Sequence, residues 1–434
     1  MSNFLKKINP SGLITVAVLA SITGLVSTMR GSPFLGIFLS IILVIGCLFV
    51  FTNFKDKALS KIFLLAITMR TGLAFFHRFI ASLPDSTADA KAFENLAWQM
   101  SNTDVARSGI MGVVIQGSET YPSVMSFIYR FFGRSPLILQ VLNVILGSLV
   151  VLVAYKTAMV LFNRRRAALI ASVVVAFFPT FNLYSAITLR ETFVVFFLAT
   201  SFYFFSVWLQ RGDTSYILLS FLFSITSAAF HGAMIIIVFS YIPIYIFYRP
   251  RRKEWSVFNK KLLIGGLFLI VIVYLFFGQF PSKIPSPAEI TPERLEKEVH
   301  VRATDRAAYL RNLVPGSYFD VAWQTPIRAL YFYFSPFPWE LESKLDLVGM
   351  VDALSYLGLF AFCVLSLHFI LRENRALFFS VLLILLIFSV TFAWGTSNYG
   401  TAIRHRQKIA FLFIIISSYS LSLIKFQGLR EIGK

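Results

Sequence analysis

An apolar run with Arg70 near its middle ends on His77-Arg78, and the loop after it reads Leu83-Pro84-Asp85-Ser86-Thr87-Ala88-Asp89. A charge inside hydrocarbon is costly and is tolerated where it faces a wet cavity or a partner. Carboxylates just beyond such a run point to chemistry at a membrane surface. Asp85, Asp89 or Glu94 could take a proton from an attacking hydroxyl or hold a divalent cation. The plainer alternative is a solvated loop in which Asp85 or Asp89 caps the following helix; for these carboxylates alone it leads. His77, like His231, reads more simply as a satisfied core residue.

Three further groups carry charge where chemistry could use it. Thr188-Leu189-Arg190-Glu191 opens an apolar run. Glu191 would favour the helix start through the dipole while Arg190 snorkels, or Arg190 would bind phosphate with Glu191 orienting it. The two readings are even. Gly400-Thr401-Ala402-Ile403-Arg404-His405-Arg406 places two arginines around a histidine in a short outer loop, against the trend of the other outer loops. Arginine grips phosphate bidentately and stays charged, so Arg404 and Arg406 are read as phosphate ligands with His405 in support. Last, Arg294, Arg302, Arg306 and Arg311 could grip an anionic lipid-linked substrate. Their acidic neighbours offer i,i+4 pairing instead, and that reading leads.

The elements that must position these groups are membrane spans. The chain has 434 residues, 57% hydrophobic and only 14% charged, against about a quarter charged in soluble domains. Runs of about 20 apolar residues, the length of a crossing, lie near 11–28, 33–52, 60–80, 136–160, 167–186, 191–209, 214–230, 232–248, 262–280, 346–370, 376–394 and 407–424. The expectation is an all-α polytopic bundle of about twelve spans, with kinks at Pro179 and Pro243. The first run follows Lys6 and Lys7 and lacks a convincing small-x-small cleavage site, so it reads as a retained span. Cys47 and Cys363 sit in apolar runs as small hydrophobes.

Orientation follows the basic residues of short loops. Lys55, Lys57, Lys61, Arg164–Arg166, Arg249, Arg251, Arg252, Arg372 and Arg375 mark one side, placing both termini in the cytoplasm. The net charge of +19 is then a topology signal, and no nucleic-acid partner is implied. Two outer segments are long, 81–135 and 281–345. In the first, 89–98 reads as an amphipathic helix. In the second, Thr291-Pro292-Glu293 reads as a helix start with Thr as N-cap and Pro at N1, and Pro326–Phe334 as a short re-entrant or interfacial helix. The division is a pair of spans at 1–58, a module at 59–425 and a tail at 426–434. No P-loop, dinucleotide-binding turn, HExxH or GxSxG is present.

Arg70 followed by Asp89-Ala-Lys-Ala-Phe-Glu-Asn-Leu-Ala resembles the "Asp-Ala-x-x-Tyr-x-x-Leu-Ala" opening of GT-C glycosyltransferases, polytopic enzymes that include protein O-mannosyltransferases and the lipid A aminoarabinose transferase. The resemblance continues through Tyr121-Pro122, Phe132-Gly133, Leu142-Asn143 with Gly147, Arg164–Arg166, Pro179 and Leu189-Arg190-Glu191. It ends at Arg404-His405-Arg406, which looks like the family's "Arg-Tyr-Arg". Phe93 stands where the family has tyrosine, as does His405. The resemblance implies a polyprenyl-phosphate-linked sugar as donor, its phosphate held by outer-face arginines (Arg404 and Arg406, with Arg190 and Arg70), and Asp89 as base or acceptor-orienting group, with Asp85 the nearby alternative.

The expected activity is a bacterial inner-membrane glycosyltransferase moving that sugar to an envelope polysaccharide or lipid acceptor on the outer face. Mg²⁺ or Mn²⁺ at Asp85, Asp89 and Glu191 is compatible with this but not required. Two alternatives stand beside it: a polymerase of O-antigen, capsule or exopolysaccharide repeat units, favoured by the Arg-rich stretch 294–311, and a flippase for lipid-linked oligosaccharides.

Overall fold

A computed structural model describes residues 37, 40–46, 56–102, 119–256, 291–303, 306–342 and 344–424. The runs expected at 11–28 and 262–280, and most of that at 33–52, lie outside these residues. Of the described residues, 82% are helical and 2% are in strands, in keeping with an all-α class. In chain order the helices are α1 (Lys57–Phe79), α2 (Ala88–Ser101), α3 (Thr120–Phe132), α4 (Pro136–Phe162), α5 (Arg165–Phe177), α6 (Pro179–Ser185), α7 (Glu191–Arg211), α8 (Thr214–Phe230), α9 (Ile235–Phe247), α10 (Pro292–Arg302), α11 (Tyr318–Phe334), α12 (Lys344–Glu373), α13 (Arg375–Trp394) and α14 (Tyr399–Leu423).

Among the described residues, α1, α4, α7, α13 and the Asp346–Glu373 part of α12 are long and apolar enough to cross a bilayer, five in all. The pair α5 and α6, bent by 54°, makes a sixth if it is one broken span. That is fewer than the twelve expected. Besides the runs outside the described residues, α8 has 17 residues and α9 has 13, short of a full crossing. Helix α14 carries Arg404, Arg406 and Lys408 in its first half. The α5–α6 bend has the cause anticipated for Pro179: the residue before a proline is pushed out of the helical region, and Phe178 sits at φ −62, ψ 124. Many apolar side chains of α12, including Val351, Leu354, Leu357 and Phe360, are exposed, which suits lipid contact rather than water.

Caps set the helix starts. The Asp56 carboxylate accepts from the Ala58 and Leu59 amides, Asp213 from Ser215 and Asn398 from Gly400 and Thr401. Thr291 caps α10 by accepting from Arg294, with Pro292 following, the start read from the sequence. The run at 326–334 belongs to a longer helix, α11, that begins at Tyr318 behind the Ser317 cap.

The described residues fall into two compact units: those up to Asn102 with Glu119–Ser148 and Asn182–Thr192 in the first, and Leu149–Phe181 with those from Phe193 onward in the second. In the second, small hydroxyl residues let helices approach closely. Ser366 bonds Ser420 at 2.9 Å, and Ser417 donates to the Leu359 carbonyl at 2.8 Å, joining α12 to α14.

Candidate functional site

The first unit builds its site on Asn143 and Gly147, one turn apart on α4. Asn143 is wholly buried and its amide donates to the carbonyls of Ile187 (2.6 Å) and Leu189 (3.0 Å). Gly147 lets the backbone close in: a Cβ there would lie 2.1 Å from Ser185 Oγ. Thr192 Oγ1 donates to the Tyr184 carbonyl at 3.0 Å. The segment 185–189 is thus held from both ends, and it delivers Thr188, Arg190 and Glu191.

Helix α2 docks on that segment. Thr188 Oγ1 donates to the Ala90 carbonyl at 3.2 Å, and the Arg190 guanidinium lies over the Phe93 ring, 5.4 Å from its centroid. Phe93 meets Tyr121 edge to face at 5.8 Å. Helix α2 is also tied to α3 and the turn after it. Buried Glu94 accepts from the Tyr129 hydroxyl (2.8 Å) and from Arg134 (2.7 and 3.0 Å). Arg134 is raised above its ordinary pKa first by this hydrogen bond. Burial raises the Tyr129 phenol, and the Glu94 charge adds to that. Glu94 is therefore committed to structure. Burial likewise pushes up the Tyr121 phenol, which feels an opposing hydrogen bond from Asn143 and the added charge of Glu191.

Asp89 precedes Ala90, whose carbonyl accepts the Thr188 bond. Asp89 lies exposed in the first turn of α2, where the helix dipole favours an anion. Neither expected capper occupies the N-cap position, which is held by Thr87 without a side-chain bond. Asp85 instead adopts φ 62, the left-handed conformation that Asp tolerates in turns, beside a Ser86 hydroxyl that donates to Leu83 at 2.6 Å. His77 Nδ1 accepts from the Leu83 amide at 3.1 Å and so closes the loop onto α1. Arg70 is wholly buried, Glu191 nearly so at 4% exposure, and Arg190 is half-buried. Gln140 Oε1, Asn143 Oδ1 and Thr120 Oγ1 are buried acceptors with no hydrogen-bond partner.

In the second unit, Arg404-His405-Arg406 lies on α14. Arg406 is wholly buried and faces Asp352, itself 1% exposed. Its Nε and Nη2 both reach Asp352 Oδ2 at 2.7 Å. Its Nη1 serves the carbonyls of Tyr333 and Ser335 at 2.8 Å and of Phe332 at 3.3 Å, and Nη2 also reaches Gly349. The guanidinium expected to grip phosphate is thus occupied by the protein, a pairing across the chain that spacing could not reveal. Arg404 and His405 are half-buried. His405 Nδ1 lies 3.0 Å from Thr396 Oγ1, and its ring is 5.4 Å from that of His231.

The start of α14 is clamped by the loop after α10. Tyr309 donates its amide to Ser397 and Tyr399 to Ala307, a short antiparallel bridge at Ala308 and Asn398. Arg306 pairs with Asp346, Nη2 to Oδ1 at 3.0 Å, and touches the Tyr399 hydroxyl at 2.8 Å. Arg302 pairs with Glu298 at 2.7 Å and donates to the Gly395 carbonyl. The i,i+4 alternative is therefore realised for Arg302, while Arg306 finds a distant acid.

Sequence reasoning passed over Arg328, wholly buried on α11. The signal was available: it is the single charge between Asp320 and Glu340. Among the described residues, no group of three His, Cys, Asp or Glu is arranged to hold a metal ion.

Residues 120–277 match the family model described as dolichyl-phosphate-mannose-protein mannosyltransferase, part of the GT-C superfamily of polytopic glycosyltransferases. The match covers Tyr121-Pro122, Asn143, Gly147, Pro179 and Leu189-Arg190-Glu191, and leaves Asp89 and Arg404 outside it. No curated protein and no solved structure is significantly similar to the chain.

Proposed function

From the family match over residues 120–277, we propose that the chain is a GT-C glycosyltransferase of the bacterial inner membrane. It moves a sugar from a polyprenyl phosphate to an envelope polysaccharide or lipid on the outer face. The observation that supports the assignment of residues is the docking of α2 on residues 188–190, through Thr188 to the Ala90 carbonyl and Arg190 over Phe93; Asp89 precedes Ala90 in the chain. Asp89 accepts the proton of the acceptor hydroxyl. The freed oxygen bonds to the sugar's anomeric carbon as the bond from that carbon to the phosphate oxygen breaks, its electron pair leaving on the phosphate. Arg190, over Phe93, is suited to the charge that develops there. Arg70 and Glu191 orient it, and Asp85 and His77 shape the loop. In the second unit, Arg404 is assigned a donor-phosphate role with His405 in support, on the family resemblance alone. Arg406 is assigned an anchoring role, because its donors are occupied.

The polymerase alternative leaned on the Arg-rich stretch 294–311; within it Arg302 and Arg306 are engaged with acids, which weakens that reading. The test measures release of polyprenyl phosphate from a panel of polyprenyl-phosphate sugars in membranes. Asp89→Asn should lower release by about 10²–10⁴-fold, the range of general base catalysis, with Asp85→Asn close to wild type. Full release by both Asp89→Asn and Arg404→Ala would end the assignment.

A further inference from the structure

Arg328 on α11 is a charge without an acid. It is wholly buried, and among the described residues no carboxylate pairs with it. Its Nη2 donates to the Leu313 carbonyl. Its Nε and Nη1 have no acceptor. The guanidinium lies over Trp394, 4.4 Å from the ring centroid, and that indole is fixed by its own N–H to Thr325 Oγ1 at 2.9 Å. One turn earlier, Gln324 is 2% exposed; its amide nitrogen donates to Val314 at 3.2 Å, and its Oε1 has no partner.

Arginine does not shed its charge when buried, and buried donors in native structures are nearly always met. A sequence optimised for stability alone would place Met or Leu here. A rigid guanidinium held flat by an aromatic floor, with two nitrogens unspent, is instead arranged to receive an oxyanion. The carbonyls of Leu313 and Val314 that hold Arg328 and Gln324 belong to the loop between α10 and α11.

We propose that Arg328, with Trp394 as its floor, is a binding site for a phosphate monoester, free or lipid-carried. The proposal does not depend on the transferase reading, since binding is read without turnover.

The test is thermal unfolding of the full chain, wild type against Arg328→Gln and Arg328→Met. One arm adds inorganic phosphate in neutral detergent, with chloride at matched ionic strength as reference. The other compares phosphatidylcholine nanodiscs with and without polyprenyl phosphate. Expected is a rise of about 2 °C or more for wild type in at least one arm, lost in both variants. Without phosphate, both variants should melt at or above wild type, because an uncompensated buried charge has gone. The arm that responds identifies the source of the phosphate. No protection of wild type in either arm, or protection that survives in the variants, overturns the proposal. So does a drop of several degrees, or failure to fold, in both variants without phosphate, which would make Arg328 a structural tie.

Discussion

Gly147→Ala probes how the first unit holds its candidate catalytic segment. The new Cβ would sit 2.1 Å from Ser185 Oγ, 3.1 Å from Ser185 Cβ and 3.4 Å from Thr192 Cγ2. Ordinary contact begins near 3.4 Å, so segment 185–189 must retreat by more than 1 Å, or Ser185 must rotate away from its present interaction. Rotation still leaves the Cβ–Cβ approach at 3.1 Å. Overpacking of this kind costs about 1–3 kcal/mol. The segment carries the bonds from Asn143 and the Thr188 bond to Ala90, so its retreat also shifts Arg190. A displacement of about 1 Å near reacting groups can cost about 10²-fold in rate. The assay pairs the thermal midpoint with donor turnover for Gly147→Ala and for the double variant with Ser185→Ala. The double variant removes Oγ and leaves a contact that a few tenths of an ångström relieve, so it should recover most of both losses. A single variant with wild-type turnover and midpoint, or a double variant no better than the single, would refute the close-approach argument.

Glu94→Ala strips the acceptor from the buried Tyr129 hydroxyl and should cost about 1–3 kcal/mol, whereas Arg134→Ala, whose side chain is 41% exposed, should cost under about 1 kcal/mol; chemical unfolding ranks the two. Asp352→Ala leaves the Arg406 charge buried and alone and should cost about 3–5 kcal/mol, visible as a large drop in melting temperature. Arg404→Ala should instead spare the melting temperature and lower donor turnover, and the reverse pattern would exchange the two roles. The Asp320 carboxylate is held below its usual range, first by the Trp323 indole N–H and then by Ser317. A lowered folded value means its stabilisation is present above about pH 4 and disappears as pH falls through that folded value. Melting curves between about pH 6 and about pH 3 should therefore differ between wild type and Asp320→Asn.

Features written in neighbouring residues were the legible ones. The Thr291-Pro292 start and the Pro179 break depend on local backbone sterics, and both appear as read. Asn143 and Gly147 stood out as a motif, but their purpose required knowing that residues 185–189 pack on that face of α4. The sequence placed Asp89 as a possible cap, yet the cap fell to Thr87, within the usual uncertainty of helix ends. Arg406 was misjudged for a different reason: its partner Asp352 is 54 residues away in the chain, and no periodicity announces such a pairing. Arg328 escaped notice inside an aromatic run, although the same signal, a lone charge among apolar residues, had singled out Arg70.

The burial of Arg406 also settles how the triplet around it is read. Successive residues of an α-helix are turned by about 100°, so positions two apart point nearly opposite ways. With Arg406 turned to Asp352 and the carbonyls near Ser335, Arg404 is aimed away from that knot and His405 off to one side. On a strand the two arginines would have shared a face and acted as a pair. On α14 the motif is divided: Arg406 ties the helix to its neighbours, and Arg404 faces another way.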